Sequence, residues 1–237
     1  MKTIYYYFSF AIFMIFSFFI KIKLDYLTNT KSDLEAEEYL NKWLKIWAGF
    51  CIHRAGIKIN VEGKENLPDG NCLFVSNHQG FFDIPAIIYA IDRPMGFIAK
   101  KEMLKYKFIS YWMEKIHCVF IDRENIRESM KAINKGVEYL GKGYNMAIFP
   151  EGTRSKGPVL GEFKKGSLKL ATKSGVQIVP VAINGTYMAR EGNKFGAIKP
   201  AEVTITICSP IVCSELSKDE QSNLSEIIRG IISVYIM

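Results

Sequence analysis

From residue 57 onward, short apolar runs alternate with stretches of helical periodicity, and no other feature constrains the fold as tightly. The pattern predicts strands at 57–61, 72–76, 96–99, 119–122, 146–149, 176–182 and 202–208, with helices at 84–91, 102–114, 125–141, 164–174 and 215–235. Strands that alternate with helices imply an α/β domain with a largely parallel central sheet flanked by helices. In such sheets ligands bind beyond the carboxyl ends of the strands. Polar motifs that directly follow strands are therefore where chemistry is to be sought.

The N-terminal segment has a different texture. Residues 4–20 carry no charge and lie between Lys2 and the pair Lys21 and Lys23. As a helix this run rises roughly 25 Å, slightly less than the hydrocarbon core of a bilayer. That length suits a short spanning helix or one lying in the interface. The run ends in Phe-Phe-Ile-Lys-Ile-Lys, which offers no small-residue cleavage site, so it does not read as a signal peptide. Residues 24–32 are polar and break the apolar pattern. Ser32 or Asp33 then caps a helix to about Arg54, in which Leu34, Tyr39, Leu40, Trp43, Leu44, Ile46, Trp47 and Phe50 recur at three- and four-residue steps. Such an aromatic-rich helix packs on the domain or lies at a bilayer surface. The chain thus divides into a two-helix membrane-binding module, residues 1–55, and a second domain, residues 56–237.

The net charge of +7 points to nucleic acid, anionic lipid or a phosphorylated substrate. Zinc-finger spacing, an RNP-like aromatic motif and a continuous basic helix are all absent from the sequence, which argues against nucleic acid. An anionic membrane surface fits the N-terminal segment. Cys51, Cys72, Cys118, Cys208 and Cys213 are odd in number and form no C-x-x-C pair, and only three histidines are present. A metal site is not expected, and a reducing cytosolic face is the natural compartment.

Three polar clusters follow apolar strands. The first is Asn77-His78-Gln79-Gly80-Phe81-Phe82-Asp83, after the strand at 72–76 and before a helix with Pro85 in its first turn. Within one helix His78 and Asp83 would stand about 140° apart and fail to meet. A turn between them lets the carboxylate reach the imidazole, fix its tautomer and leave the other nitrogen free as a base. An isolated H-x4-D spacing is more often a structural histidine beside a capping aspartate, so the neighbours must carry the case. The second cluster, Val119-Phe120-Ile121-Asp122-Arg123, puts a guanidinium suited to phosphate at another strand end. The third, Phe149-Pro150-Glu151-Gly152-Thr153-Arg154-Ser155, crowds a carboxylate, a glycine, a hydroxyl and a guanidinium onto one loop. Backbone N–H groups around Gly152 would suit an anion or oxyanion.

Together these residues resemble the lysophosphatidic acid acyltransferase (1-acylglycerol-3-phosphate acyltransferase) family of glycerolipid acyltransferases. That family reads N-H-x-S-x-x-D, F-I-D-R, F-P-E-G-T-R-S and V-P-V in order, and this chain has Asn77 to Asp83, Phe120 to Arg123, Phe149 to Ser155 and Val179-Pro180-Val181. One departure is Gly80, where the family often carries serine. The resemblance implies that His78 takes the proton from the free hydroxyl of a lysophospholipid, with Asp83 orienting the ring. The hydroxyl oxygen then attacks the thioester of acyl-CoA or an acyl carrier protein, and no metal or redox cofactor is needed. It further implies Arg123 and Arg154 for the substrate phosphate, Glu151 for positioning the glycerol or the loop, and Lys100 or Lys101 as basic helpers. Gly152 and Thr153 complete the candidate binding loop. The expected product is phosphatidic acid, made at a membrane with the catalytic domain on its cytoplasmic face. The same chemistry on glycerol-3-phosphate or another lysolipid, or an inactive membrane-binding relative, are the alternatives.

Overall fold

The computed structural model describes residues 1–122 and 124–236. Among these residues seven strands form one mixed sheet: β1 (Ile57–Glu62), β2 (Cys72–Ser76), β3 (Met95–Lys100), β4 (Val119–Ile121), β5 (Asn145–Ile148), β6 (Gln177–Asn184) and β7 (Ala201–Ile207). Their spatial order is β1-β7-β6-β2-β5-β3-β4. The block β6, β2, β5, β3 and β4 is parallel throughout, while β7 pairs antiparallel with β6 and carries β1 parallel to itself. Each predicted strand is present, with ends shifted by one or two residues.

Parity explains the two cores. Successive side chains of a strand point to opposite faces. In β2, Cys72 and Phe74 join one cluster with Ala86, Ile87 and Val179, and Leu73 and Val75 join another with Met146, Leu170 and Ile228. All five β2 residues are buried, which is why this strand reads as an unbroken apolar run. Against the first face pack α2 (Asp33–Ala55) and α3 (Asp83–Ile91). Against the second pack α5 (Ile126–Gly141), α6 (Lys169–Ser174) and α8 (Leu224–Ser233).

Four helical expectations are corrected. The segment at 164–174 opens as a 3₁₀ turn, Lys165–Leu168, followed by the short α6. The helix predicted at 215–235 is two, α7 (Lys218–Ser222) and α8, separated at Asn223. A capping box formed by Ser217 and Glu220 starts α7. The stretch at 102–114 is a 3₁₀ turn, Lys101–Lys105, followed by α4 (Lys107–Lys115). The polar stretch 24–32 does not stop the first helix. That helix, α1, runs Lys2–Thr30, because Leu24 and Leu27 still meet the apolar side chains of Ala36 and Leu40 in α2.

Helices α1 and α2 form an antiparallel hairpin, with the Ser32 hydroxyl accepting the Glu35 N–H at the start of α2. Phe13 stacks on Phe50 at 4.6 Å, and Phe16 meets Trp43 edge-on at 5.6 Å. At its first turns α1 touches the α/β body through Tyr6 against Phe82 (5.6 Å) and Thr3, whose hydroxyl accepts the Ile198 N–H (3.0 Å). Near its other end the Tyr111 hydroxyl of α4 donates to Asp25 at 2.5 Å. Its outer face leaves Phe8, Ile12, Ile15, Phe19, Ile22 and Tyr26 each more than half exposed. By length and composition α1 is apolar enough to cross a membrane. All five cysteines are buried and unpaired.

Candidate active site

The carboxyl ends of β2, β5 and β6 converge on one rim of the sheet, and the loops that leave them build the site. After Ser76 the chain turns through residues 77–82, and α3 begins at Asp83. This turn places His78 and Asp83 together: Nδ1 of His78 lies 2.5 Å from Oδ2 of Asp83. Asp83 is fully buried. Its Oδ2 also accepts the Gly80 N–H at 2.8 Å, and its Oδ1 accepts the Thr186 hydroxyl. A carboxylate held on three sides orients one imidazole nitrogen and directs proton transfer to the other.

The imidazole lies nearly parallel to Phe149, with centroids 4.3 Å apart and planes 18° apart. Phe149 is the first residue past β5, on the strand adjacent to β2. The His78 backbone is bound on both sides as well. Its N–H donates to Oε1 of Glu151 at 2.7 Å, and its carbonyl accepts the Ser155 N–H at 2.8 Å. The other oxygen of Glu151 accepts the Gly161 N–H at 3.0 Å. Glu151 thus ties two stretches of loop to its own from a buried position, and that burial pushes its carboxyl above the usual glutamate range. The Gly152 N–H donates to the Phe149 carbonyl at 3.0 Å, and Gly152 adopts φ +73°, which only glycine takes without strain. Beside this loop a cleft of ≈ 460 Å³ is lined by Glu151, Thr153, Ser155, Gly161 and Lys164.

The end of β6 and the segment that follows it are not singled out by the motifs, yet they template the His78 loop. Asn77 exchanges two hydrogen bonds with the Ile183 backbone, each 2.8 Å. Gln79 accepts the Gly185 N–H at 2.8 Å, Thr186 reaches Asp83, and Glu191 accepts the Phe81 N–H at 2.8 Å. A polar run after a strand is the signal that would have found Thr186 and Glu191, because β6 ends on the same rim at Asn184. Gly80 also finds its reason here. A Cβ at that position would stand 2.8 Å from Oε2 of Glu191, so Glu191 occupies the room that a serine side chain would claim.

Arg154 sits on this rim with its guanidinium 3.4 Å from Glu191. Lys100 ends β3, and Lys101 pairs with Asp122 at 3.0 Å, at the β3–β4 end of the rim and apart from the histidine. Arg123 lies outside the described residues.

Residues 58–184 match the family described as Acyltransferase. A 1-acyl-sn-glycerol-3-phosphate acyltransferase of Borreliella burgdorferi is 34% identical over 181 residues, covering 74% of this chain and 70% of that protein. A chloroplastic 1-acyl-sn-glycerol-3-phosphate acyltransferase of Arabidopsis thaliana is 35% identical over 187 residues, covering 77% of this chain and 52% of that protein. The chain spans about half the length of that plant relative and of those from Brassica napus and Chlamydomonas reinhardtii. The crystal structure of the 1-acyl-sn-glycerophosphate acyltransferase PlsC from Thermotoga maritima superposes with a TM-score of 0.85 at 28% identity, covering 99% of this chain and 92% of that one.

Proposed function

This chain belongs to the acyltransferase family, and we propose that it acylates the free hydroxyl of 1-acyl-glycerol-3-phosphate to give phosphatidic acid. The observation that carries the reading is the His78–Asp83 pair, held by three loops on one rim, in a chain whose relatives are named for that reaction. His78 Nε2 takes the proton from the acceptor hydroxyl, and the oxygen attacks the thioester carbonyl of acyl-CoA or an acyl carrier protein. Asp83 holds the tautomer and balances the imidazolium that forms. The C–S bond breaks as the tetrahedral oxyanion collapses, and the thiolate takes up the proton that His78 returns. Backbone N–H groups of the loop after Pro150 are suited to hold the oxyanion. The Gly152 N–H is not among those we assign, since it is directed at Phe149.

Arg154 is the guanidinium we assign to the acceptor phosphate, and the cleft beside Glu151 is the space we assign to substrate. The exposed apolar face of α1 supports docking at a bilayer surface, where the acceptor resides. Attachment of α1 to the α/β body at both ends favours a helix lying in the interface over one that spans. The catalytic domain then faces the cytosol, where the thioester donor is found.

The test is an acceptor panel with purified protein and one acyl-CoA. Lysophosphatidic acid should be acylated with the highest kcat/KM, ahead of glycerol-3-phosphate, lysophosphatidylcholine and monoacylglycerol. Preference for any of the other three would replace the acceptor, and transfer to none would remove the activity.

A further inference from the structure

Two guanidiniums from different loops meet at one buried oxygen. Arg154 Nη1 lies 3.4 Å and Arg190 Nη1 3.5 Å from Oε1 of Glu191. The Glu191 side chain is only 7% exposed, whereas those of Arg154 and Arg190 are 41% and 31% exposed. Glu191 itself is fixed, because the same oxygen takes the Phe81 N–H at 2.8 Å. The two arginines hold it loosely: charge-assisted bonds run at about 2.7–2.9 Å, and both contacts here are longer. Among the described residues, the other carboxylate oxygen, Oε2, is buried with no partner, so neither arginine forms the two-bond fork it can make with an anion. Arg190 further lies 5.0 Å from the Phe81 ring centre and donates through Nε to Tyr7 at 3.2 Å, which leaves its Nη groups as the edge turned to the anion.

We propose that Arg190 is a second guanidinium of the acceptor-phosphate site, and that Glu191 is a resident anion holding Arg154 and Arg190 together when no phosphate is bound. This rests on the lysophosphatidic acid reading above. A phosphomonoester carries about −1.5 to −2 charges and three acceptor oxygens, which suits two guanidiniums better than one. The position fits the chemistry. Phe81 lies between His78 and Asp83 in the catalytic turn, and Arg154 precedes Ser155, whose N–H holds the His78 carbonyl. In the acceptor the phosphate is attached to the carbon next to the one that bears the reacting hydroxyl. Incoming phosphate draws the exposed arginines away from Glu191, while the Phe81 N–H keeps Glu191, and with it the catalytic turn, in place.

The experiment compares Arg190→Ala and Glu191→Gln in the full chain, with lysophosphatidic acid and the phosphate-free acceptor monoacylglycerol. Arg190→Ala should raise KM for lysophosphatidic acid by about tenfold or more, the size of one hydrogen bond to a charged group, with kcat within about twofold. Monoacylglycerol should lose nothing. Glu191→Gln, which keeps the carbonyl for Phe81 but removes the competing charge, should leave KM unchanged or lower it. An unchanged KM in Arg190→Ala, or an equal rise for both acceptors, would overturn the proposal. If Arg190→Ala does not fold, Arg190→Gln, which retains a donor for Tyr7, is judged on the same criteria. Absence of lysophosphatidic acid acylation by the unaltered protein would instead sink the underlying function.

Discussion

Two pairs of a nitrogen side chain with a carboxylate stand at strand ends on the same rim, and they differ in burial and in what surrounds them. His78 and Asp83 meet at 2.5 Å, with side chains 17% and 0% exposed. Lys101 and Asp122 meet at 3.0 Å, with side chains 59% and 22% exposed. The first carboxylate is also held by the Gly80 N–H and the Thr186 hydroxyl, and its imidazole is stacked on Phe149. The second pair stands in solvent, where screening and side-chain entropy offset most of the attraction. A buried polar network is costly to leave half-satisfied, so it fixes one geometry. A surface pair fixes none. The rim is thus preorganised at the β2–β5–β6 end and permissive at the β3–β4 end.

The sharpest way to break this contrast is His78→Ala. Loss of the general base we propose should lower kcat by about 10²–10⁴-fold. Folding should persist, since His78 packs at the edge of the core. Radiolabelled acyl transfer measures the first, and circular dichroism the second. A variant that retains more than a tenth of the activity would reduce the buried pair to scaffolding.

Glu151→Gln should have an intermediate effect. The carboxylate accepts two N–H groups, from His78 and Gly161, but an amide offers only one acceptor and turns an NH₂ towards the other donor. One buried N–H left unsatisfied costs about 1–3 kcal/mol, and kcat should fall about tenfold as the His78 loop loosens. Burial raises the Glu151 pKa in the folded state. Its contribution to stability is therefore complete below the ordinary glutamate pKa, and is lost as pH rises through the higher folded value. Thermal unfolding followed across that window should show the slope in the unaltered protein and a flatter profile in the variant. Identical profiles would mean that the Glu151 carboxyl is not perturbed by its burial.

Much of this was legible in the sequence, for identifiable reasons. Strands β2 and β6 announce themselves because both faces are buried, which leaves a continuous apolar run. The His78–Asp83 pair could be placed because a strand end and the first turn of α3 bracket it within seven residues. Other features depend on contacts far apart in the chain. Thr186 and Glu191 lie more than a hundred residues from the groups they hold, and the polar run after β6 marks the segment but not which groups it meets. The extension of α1 to Thr30 was hidden in the same way, since Leu24 gains its apolar partners only when α2 folds back along it. Gly80 was visible as a departure, but its physical reason is the carboxylate of Glu191 in the space beside it.

The smallest predicted effect tests the permissive end. The family resemblance implies that Lys100 or Lys101 assists substrate, but the Lys101 ammonium is committed to Asp122, and that bond is what raises its pKa. The same lysine is the first cause of the lowered pKa of Asp122. Stability from the carboxylate is therefore present above the ordinary aspartate range and lost as pH falls, while that from the ammonium is lost as pH rises through its raised value. Because both groups stand in solvent, each contribution should be small and should fade further with salt. Lys101→Ala should raise KM for a phosphorylated acceptor by no more than about twofold and leave kcat alone, measured at low and high salt. A tenfold rise that high salt abolishes would show that Lys101 leaves Asp122 for the substrate. The β3–β4 end would then belong to the phosphate site, and the separation of the rim into a rigid and a permissive end would fail.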